Sequence, residues 1–163
     1  MKNFLGVGVA VGVLAGLWTQ VSVELTLITW VAFVSWACFF AAGGGREGLT
    51  KALAANLSGV AWAWVASKFL EQATWNGAVA LAVTVLGVVL CLQAALPLLS
   101  FIPGAFVGTA VFFGTSFDLG GTVLALVVGA CLGYVSELLA ARIQAVVDRT
   151  GATPLASSPG ELA

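Results

Sequence analysis

The chain has 163 residues, 61% of them hydrophobic and only 8% charged, with six basic and seven acidic side chains and a net charge of −1. A soluble domain carries about 25% charged residues, so these charges are too few to cover a water-facing surface, and too few for a basic nucleic-acid-binding face. The hydrophobicity excludes a disordered chain, and the absence of histidine excludes histidine-based catalysis and histidine-ligated zinc or haem. Cys38, Cys91 and Cys131 stand far apart in apolar runs without CxxC spacing, so they are expected as small buried packing residues rather than disulfides or thiolate ligands. The class this defines is an integral membrane protein, all-α.

A spanning helix needs roughly 20 apolar residues, and six candidate segments follow in chain order. The first is Phe4 to Val23. Lys2 precedes it as it would a signal peptide, but no small-residue cleavage site follows, so a retained helix is expected. The second, Leu25 to Ala42, stops at Gly43-Gly44-Gly45. The third covers Leu49 to Phe69 and the fourth Gly77 to Leu96. The fifth, Leu98 to Phe113, carries Pro103-Gly104, and the sixth runs from Leu119 to Ile143. Proline disfavours helix at the residue before it, and glycine adds backbone freedom, so the fifth helix is expected to be broken at Pro103-Gly104. Residues 147–163, with two prolines and paired serines, are expected as a disordered cytoplasmic tail. Lys2, Arg46, Lys51, Arg142 and Arg149 all fall on one side if six crossings are made, which places both termini in the cytoplasm.

The second and fifth segments share an order of residues. Leu27-Ile28-Thr29-Trp30 parallels Leu98-Leu99-Ser100-Phe101, Ala32-Phe33-Val34 parallels Ala105-Phe106-Val107, and Phe39-Phe40 parallels Phe112-Phe113. Gln20 and Gln93 precede the two copies, and Gly59 and Gly129 occupy matching places in the third and sixth segments. The pattern predicts two three-helix repeats, residues 1–72 and 73–146, inverted relative to one another because each makes an odd number of crossings. Inverted repeats are common in transport proteins.

Four stretches, GVLAGLW (Gly12–Trp18), LITWVAF (Leu27–Phe33), LSGVAWA (Leu57–Ala63) and above all LLSFIPGAFVG (Leu98–Gly108), resemble the YcdZ-like bacterial inner membrane proteins, a family of unknown function. The resemblance implies a small multi-spanning protein of the bacterial inner membrane. It implies no substrate, catalytic residue or cofactor.

Function is therefore read from the residues themselves. Backbone freed at Pro103-Gly104 is tolerable in a bilayer only if buried or facing a water-filled path, and it could meet a solute oxygen; a packing kink is the plainer reading. Gln20, Thr29, Gln93, Ser100 and Thr109 are neutral donors and acceptors at paired positions, suited to an uncharged polar solute or to interhelical hydrogen bonds. Asn56 and Ser58 add polarity to the third helix. Trp30, Phe33, Trp36 and Phe40 recur at helical spacing, with Phe106 and Phe113 in the second copy, suited to a constriction or to packing. The expected solute path is Gln20, Thr29, Phe33, Gln93, Ser100, Pro103, Gly104, Phe106 and Thr109. Glu137 is expected near the cytoplasmic interface, and GxxxG ridges such as Gly8-Gly12-Gly16 invite helix association. The expected function is a channel or facilitator for a small uncharged polar solute, urea-like or similar, in a homo-oligomer. The alternative is a non-transporting membrane protein that assembles with or regulates a partner. With no convergent acid, base, nucleophile or metal set, neither an enzyme nor a cofactor is expected.

Overall fold

The computed structural model describes residues 3–151 as six α-helices and two short 3-10 turns, with no strand among the described residues. The helices are α1 (Asn3–Glu24), α2 (Thr29–Ala41), α3 (Gly45–Leu70), α4 (Ala78–Leu92), α5 (Ile102–Gly114) and α6 (Leu119–Gly151); the 3-10 turns Gln93–Ala95 and Pro97–Leu99 join α4 to α5. Three helices are long and apolar enough to cross a membrane, over Leu5–Glu24, Ala78–Ala95 and Leu119–Arg149. At 26 residues α3 is also long, but charges stand near both of its ends: Arg46, Glu47 and Lys51 at one, Lys68 at the other. In contrast α2 and α5 have 13 residues each, about 20 Å at 1.5 Å per residue, shorter than a ~30 Å hydrocarbon core.

The fifth helix departs from expectation. It is unbroken from Ile102 to Gly114, and Pro103-Gly104 lie in its first turn. A first-turn amide has no intrahelical acceptor, so proline loses no hydrogen bond there and its fixed φ suits the helix. The interruption falls upstream, at Ser100-Phe101, after the Pro97–Leu99 turn. The sixth helix likewise continues past Ile143 to Gly151, so residues 147–151 of the expected disordered tail are helical; the rest of that tail lies outside the described residues. Of the three cysteines, only Cys38 is buried, whereas Cys91 and Cys131 are exposed.

Four helices make the interior: α2 packs along α6, α5 along α3, and α3 crosses α6. Glycine makes this possible. A methyl built on Gly59 of α3 would overlap the carbonyl of Ala105 in α5 and lie 2.9 Å from the Thr109 amide nitrogen. One on Gly129 of α6 would overlap the carbonyl of Ala32 in α2, and one on Gly108 of α5 that of Asn56 in α3. Backbones thus touch, the geometry small residues permit between membrane helices. Phe39, Phe112, Leu126, Val31 and Val60 fill the spaces around these crossings. Two of the three long apolar helices lie outside: α1 against α6 and α4 against α3. Their outer sides carry exposed Val13, Leu17, Val83 and Leu92, contiguous apolar surface of a kind water does not tolerate but lipid does.

Candidate functional site

At the centre of the bundle, α3 carries a fully buried amide. Asn56 is 0% exposed. Its Nδ2 donates to Ser35 Oγ of α2 at 3.3 Å, and Ser35 Oγ donates to the Leu126 carbonyl of α6 at 2.6 Å. A serine hydroxyl has a single proton, so Ser35 must accept from the amide, and this fixes which way Asn56 faces. Its other atom, Oδ1, is buried and has no hydrogen-bond partner among the described residues. Asn56 abuts Gly108 of α5 through its backbone. The three-residue chain therefore joins three interior helices and touches the fourth. An unsatisfied buried acceptor costs roughly 1–3 kcal/mol, and groups of this kind call for an explanation.

The nine expected path residues are not gathered around this point. Thr109 is buried near it, its Oγ1 bonded to the carbonyls of Gly59 and Ala105, each at 3.1 Å. Gly104 is buried at the start of α5, against the Phe101 ring and Ala55. Gln93 lies apart on the far side of α3, donating to Ser58 Oγ at 3.0 Å and accepting from Trp62 Nε1 at 3.2 Å. Thr29 stands at the start of α2, its Oγ1 2.7 Å from Ser22 Oγ and its carbonyl taking Trp18 Nε1 at 3.1 Å. Gln20 is exposed and donates to Glu24 at 2.6 Å. Ser100 is exposed and donates to the Pro97 carbonyl, and Pro103 and Phe106 are exposed as well. Phe33 is half-buried and stacks on Trp36, with ring centroids 6.2 Å apart. The aromatic row of α2 is divided: Trp36 is buried and bonded to Ser136 Oγ at 3.0 Å, while Trp30 and Phe40 are exposed.

Asn56 lies outside the expected path because the sequence offers no polar match for it: Gly59 and Gly129 stand 70 residues apart, and the residue 70 positions after Asn56 is Leu126. The available signal was different: a single amide among small residues, Ala52, Ala55 and Gly59, where only close packing leaves room for it.

Glu137 also proves more specific than an interfacial charge. Its Oε2 accepts the Gly45 amide at 2.7 Å, and its Oε1 lies where a Gly44 side chain would be. Gly43, Gly44 and Gly45 all have positive φ (102°, 69° and 61°), backbone open to glycine without strain. The turn folds around the carboxylate, which in turn ties the N-terminus of α3 to α6.

Long apolar helices, lipid-compatible outer faces and a sparse, internally bonded polar interior define an all-helical membrane protein. The chain belongs to the family described as "Protein of unknown function (DUF1097)", whose model matches residues 8–141. It is 35% identical over 151 residues to "Uncharacterized protein YahC" of Escherichia coli K12, covering 84% of this chain and 90% of that one. It is 34% identical to "Inner membrane protein YcdZ" of the same strain (82% of this chain, 83% of that one). Identity to "Inner membrane protein YcdZ" of Salmonella typhimurium LT2 is 32%, over 82% and 85% of the two chains. No solved structure matches with significance.

Proposed function

We propose that the protein is a six-span channel or facilitator of the bacterial inner membrane, with both termini cytoplasmic, that passes a small uncharged polar solute such as a urea-like amide. The observation that carries this is the orphaned Asn56 Oδ1, a fixed acceptor in the middle of the bundle that an N–H or O–H of a passing solute would satisfy. Neighbouring side chains on α2 and α5 are uncharged, which suits a neutral solute.

The same reading takes the chain as two inverted halves, and the paired geometry of α2 and α5 supports it. Helices α2 and α5 have equal length and are entered through the same torsions, φ −81°, ψ 86° at Ile28 and φ −82°, ψ 75° at Phe101. They end on the same hydrogen bonds 73 residues apart. Gly44 N–H bonds to the Phe39 carbonyl and Phe117 N–H to the Phe112 carbonyl, both at 3.1 Å; Ala42 N–H bonds to Cys38 and Thr115 N–H to Val111, both at 2.9 Å. Each packs on the long helix of the other half, with Ala32 against Gly129 and Ala105 against Gly59. The register fits Ile102, not Ser100, to Thr29. With the four interior helices in contact, passage requires the α2–α6 and α3–α5 pairs to part. The names of the relatives support the inner membrane, and the basic residues support the orientation.

The test is stopped-flow swelling of proteoliposomes in a panel of neutral solutes: urea, formamide, acetamide and glycerol. Wild-type protein should accelerate at least one, and Asn56→Ala, which removes the acceptor without adding volume, should abolish that flux while remaining folded. Rates equal to protein-free liposomes across the panel would overturn the solute reading.

A second reading, assembly with identical or other membrane chains, is favoured by α1. Methyls built on Gly8, Gly12 and Gly16 would meet nothing within 4 Å, so these glycines form a ridge open to close approach by another helix. Native mass spectrometry in mild detergent would show the oligomer this requires.

A further inference from the structure

Three clefts cluster at the Lys68 end of α3, and neighbouring clefts share a wall residue. An apolar groove of about 230 Å³ runs between α3 and α4, bounded by Trp62, Ala66 and Phe69 on one side and Leu81, Val85 and Val89 on the other. Phe69 also walls a wider, more polar cleft of about 480 Å³ with Lys68, Gln72 and Trp75. Lys68 in turn borders a third, of about 370 Å³, with Trp64, Ser67 and Phe117. A polar mouth thus adjoins an apolar slot across Phe69. From Phe69 to Trp62 the slot follows seven residues of α3, about 10 Å of helix.

The slot exists because the two outer helices are seated differently. Gly6 brings α1 into contact with α6, where a methyl at that position would lie 2.7 Å from the Ala140 carbonyl oxygen. α4 instead meets its neighbours through side chains, Leu86 and Leu90 packing with Ala105 of α5 and Ala66 of α3, and a methyl on its Gly87 would meet nothing within 4 Å. A void between two helices in a bilayer is a place for a chain with no polar groups.

The mouth identifies what that chain is attached to. Lys68 Nζ and Glu71 Oε1 form an ion pair at 2.6 Å, with side chains 52% and 60% exposed. Both signs of charge are offered side by side, with no net charge. Gln72 adds an amide, and Trp64 and Trp75 supply aromatic rings of the kind that gather at the headgroup level of membranes. We infer that the α3–α4 groove and its mouth hold one phospholipid with a zwitterionic headgroup, the phosphate on Lys68, the ammonium on Glu71, and an acyl chain between Phe69 and Trp62. A neutral ion pair matches a zwitterion and gives an anionic headgroup no advantage. A helix from a second copy would fill the slot but leave the charged mouth unanswered. The inference needs no transport activity.

The experiment is native mass spectrometry of the delipidated full chain in mild detergent. It is titrated with phosphatidylethanolamine, phosphatidylglycerol and diacylglycerol of identical acyl composition. One phosphatidylethanolamine per chain should be retained, about tenfold more tightly than either of the others. Lys68→Ala, on an exposed side chain, should reduce that affinity about tenfold, the scale of one hydrogen bond to a charged group. Ala66→Phe, which fills the slot, should remove the adduct. Equal retention of all three lipids would overturn the headgroup assignment, as would an unchanged Lys68→Ala. Retention by Ala66→Phe at the wild-type level would overturn the groove, and so would a lipid-free dimer that Ala66→Phe dissolves.

Discussion

Replacing Gly59 by alanine adds a single methyl group, yet the structure gives it a definite cost. The new carbon would overlap the Ala105 carbonyl oxygen and lie 2.9 Å from both the Ala105 carbonyl carbon and the Thr109 nitrogen, where ordinary contact begins at 3.4 Å. All three atoms are backbone and cannot rotate aside, and relieving the overlap with the Ala105 oxygen requires α3 and α5 to part by about an ångström or more. Parting also strains the 3.1 Å bond from Thr109 Oγ1 to the Gly59 carbonyl. Overpacking costs typically 1–3 kcal/mol, and a backbone clash belongs at about the top of that range. Alanine returns up to about 1 kcal/mol in helix propensity, leaving a net loss of about 2 kcal/mol. Gly12→Ala is the matched control, because its added methyl would meet nothing within 4 Å and only the propensity term of up to about 1 kcal/mol remains. The two variants should therefore differ by about 3 kcal/mol, or roughly a hundredfold in the unfolding equilibrium. Reversible titration with sodium dodecyl sulfate in mixed micelles, followed by tryptophan fluorescence, measures both. A Gly59→Ala protein as stable as wild type, or a Gly12→Ala protein equally weakened, would refute the assignment of a backbone-contact seam to α3–α5 and an open ridge to α1.

Glu137→Ala removes the acceptor of the Gly45 amide and should cost about 1.5–3 kcal/mol, with faster hydrogen exchange confined to Gly43–Gly45; Glu137→Gln, which retains an acceptor oxygen, should lose less, and exchange unchanged in both variants would sink the tie. Single cysteines at positions 2 and 148 should both react with a membrane-impermeant thiol reagent only from the cytoplasmic side, in a background lacking Cys38, Cys91 and Cys131; labelling from opposite sides would remove the even number of crossings and the inversion.

Composition alone determined the class, because a chain with so few charges has only lipid as a compatible surroundings, and in lipid the backbone must satisfy itself within helices. Segment positions were legible for the same reason: apolar runs and the glycines, prolines and charges between them mark where helices stop. The resemblance between residues 27–41 and 98–114 was legible too, but not its register. Ser100 matches Thr29 by residue type, whereas the helix starts align Thr29 with Ile102. Proline reads identically in a sequence whether it breaks a helix or begins one, and only the upstream turn at Pro97–Leu99 decides that Pro103 begins α5. The tertiary structure also decided which polar residues matter to one another. Thr29 found Ser22 and Trp18, and Gln93 found Ser58 and Trp62, while Asn56 was left with an unmet acceptor where three helices meet. Hydropathy and spacing describe one helix at a time. Which glycine faces which carbonyl, and which amide oxygen is left without a donor, depend on how far the helices approach, and that distance is set by all of them together.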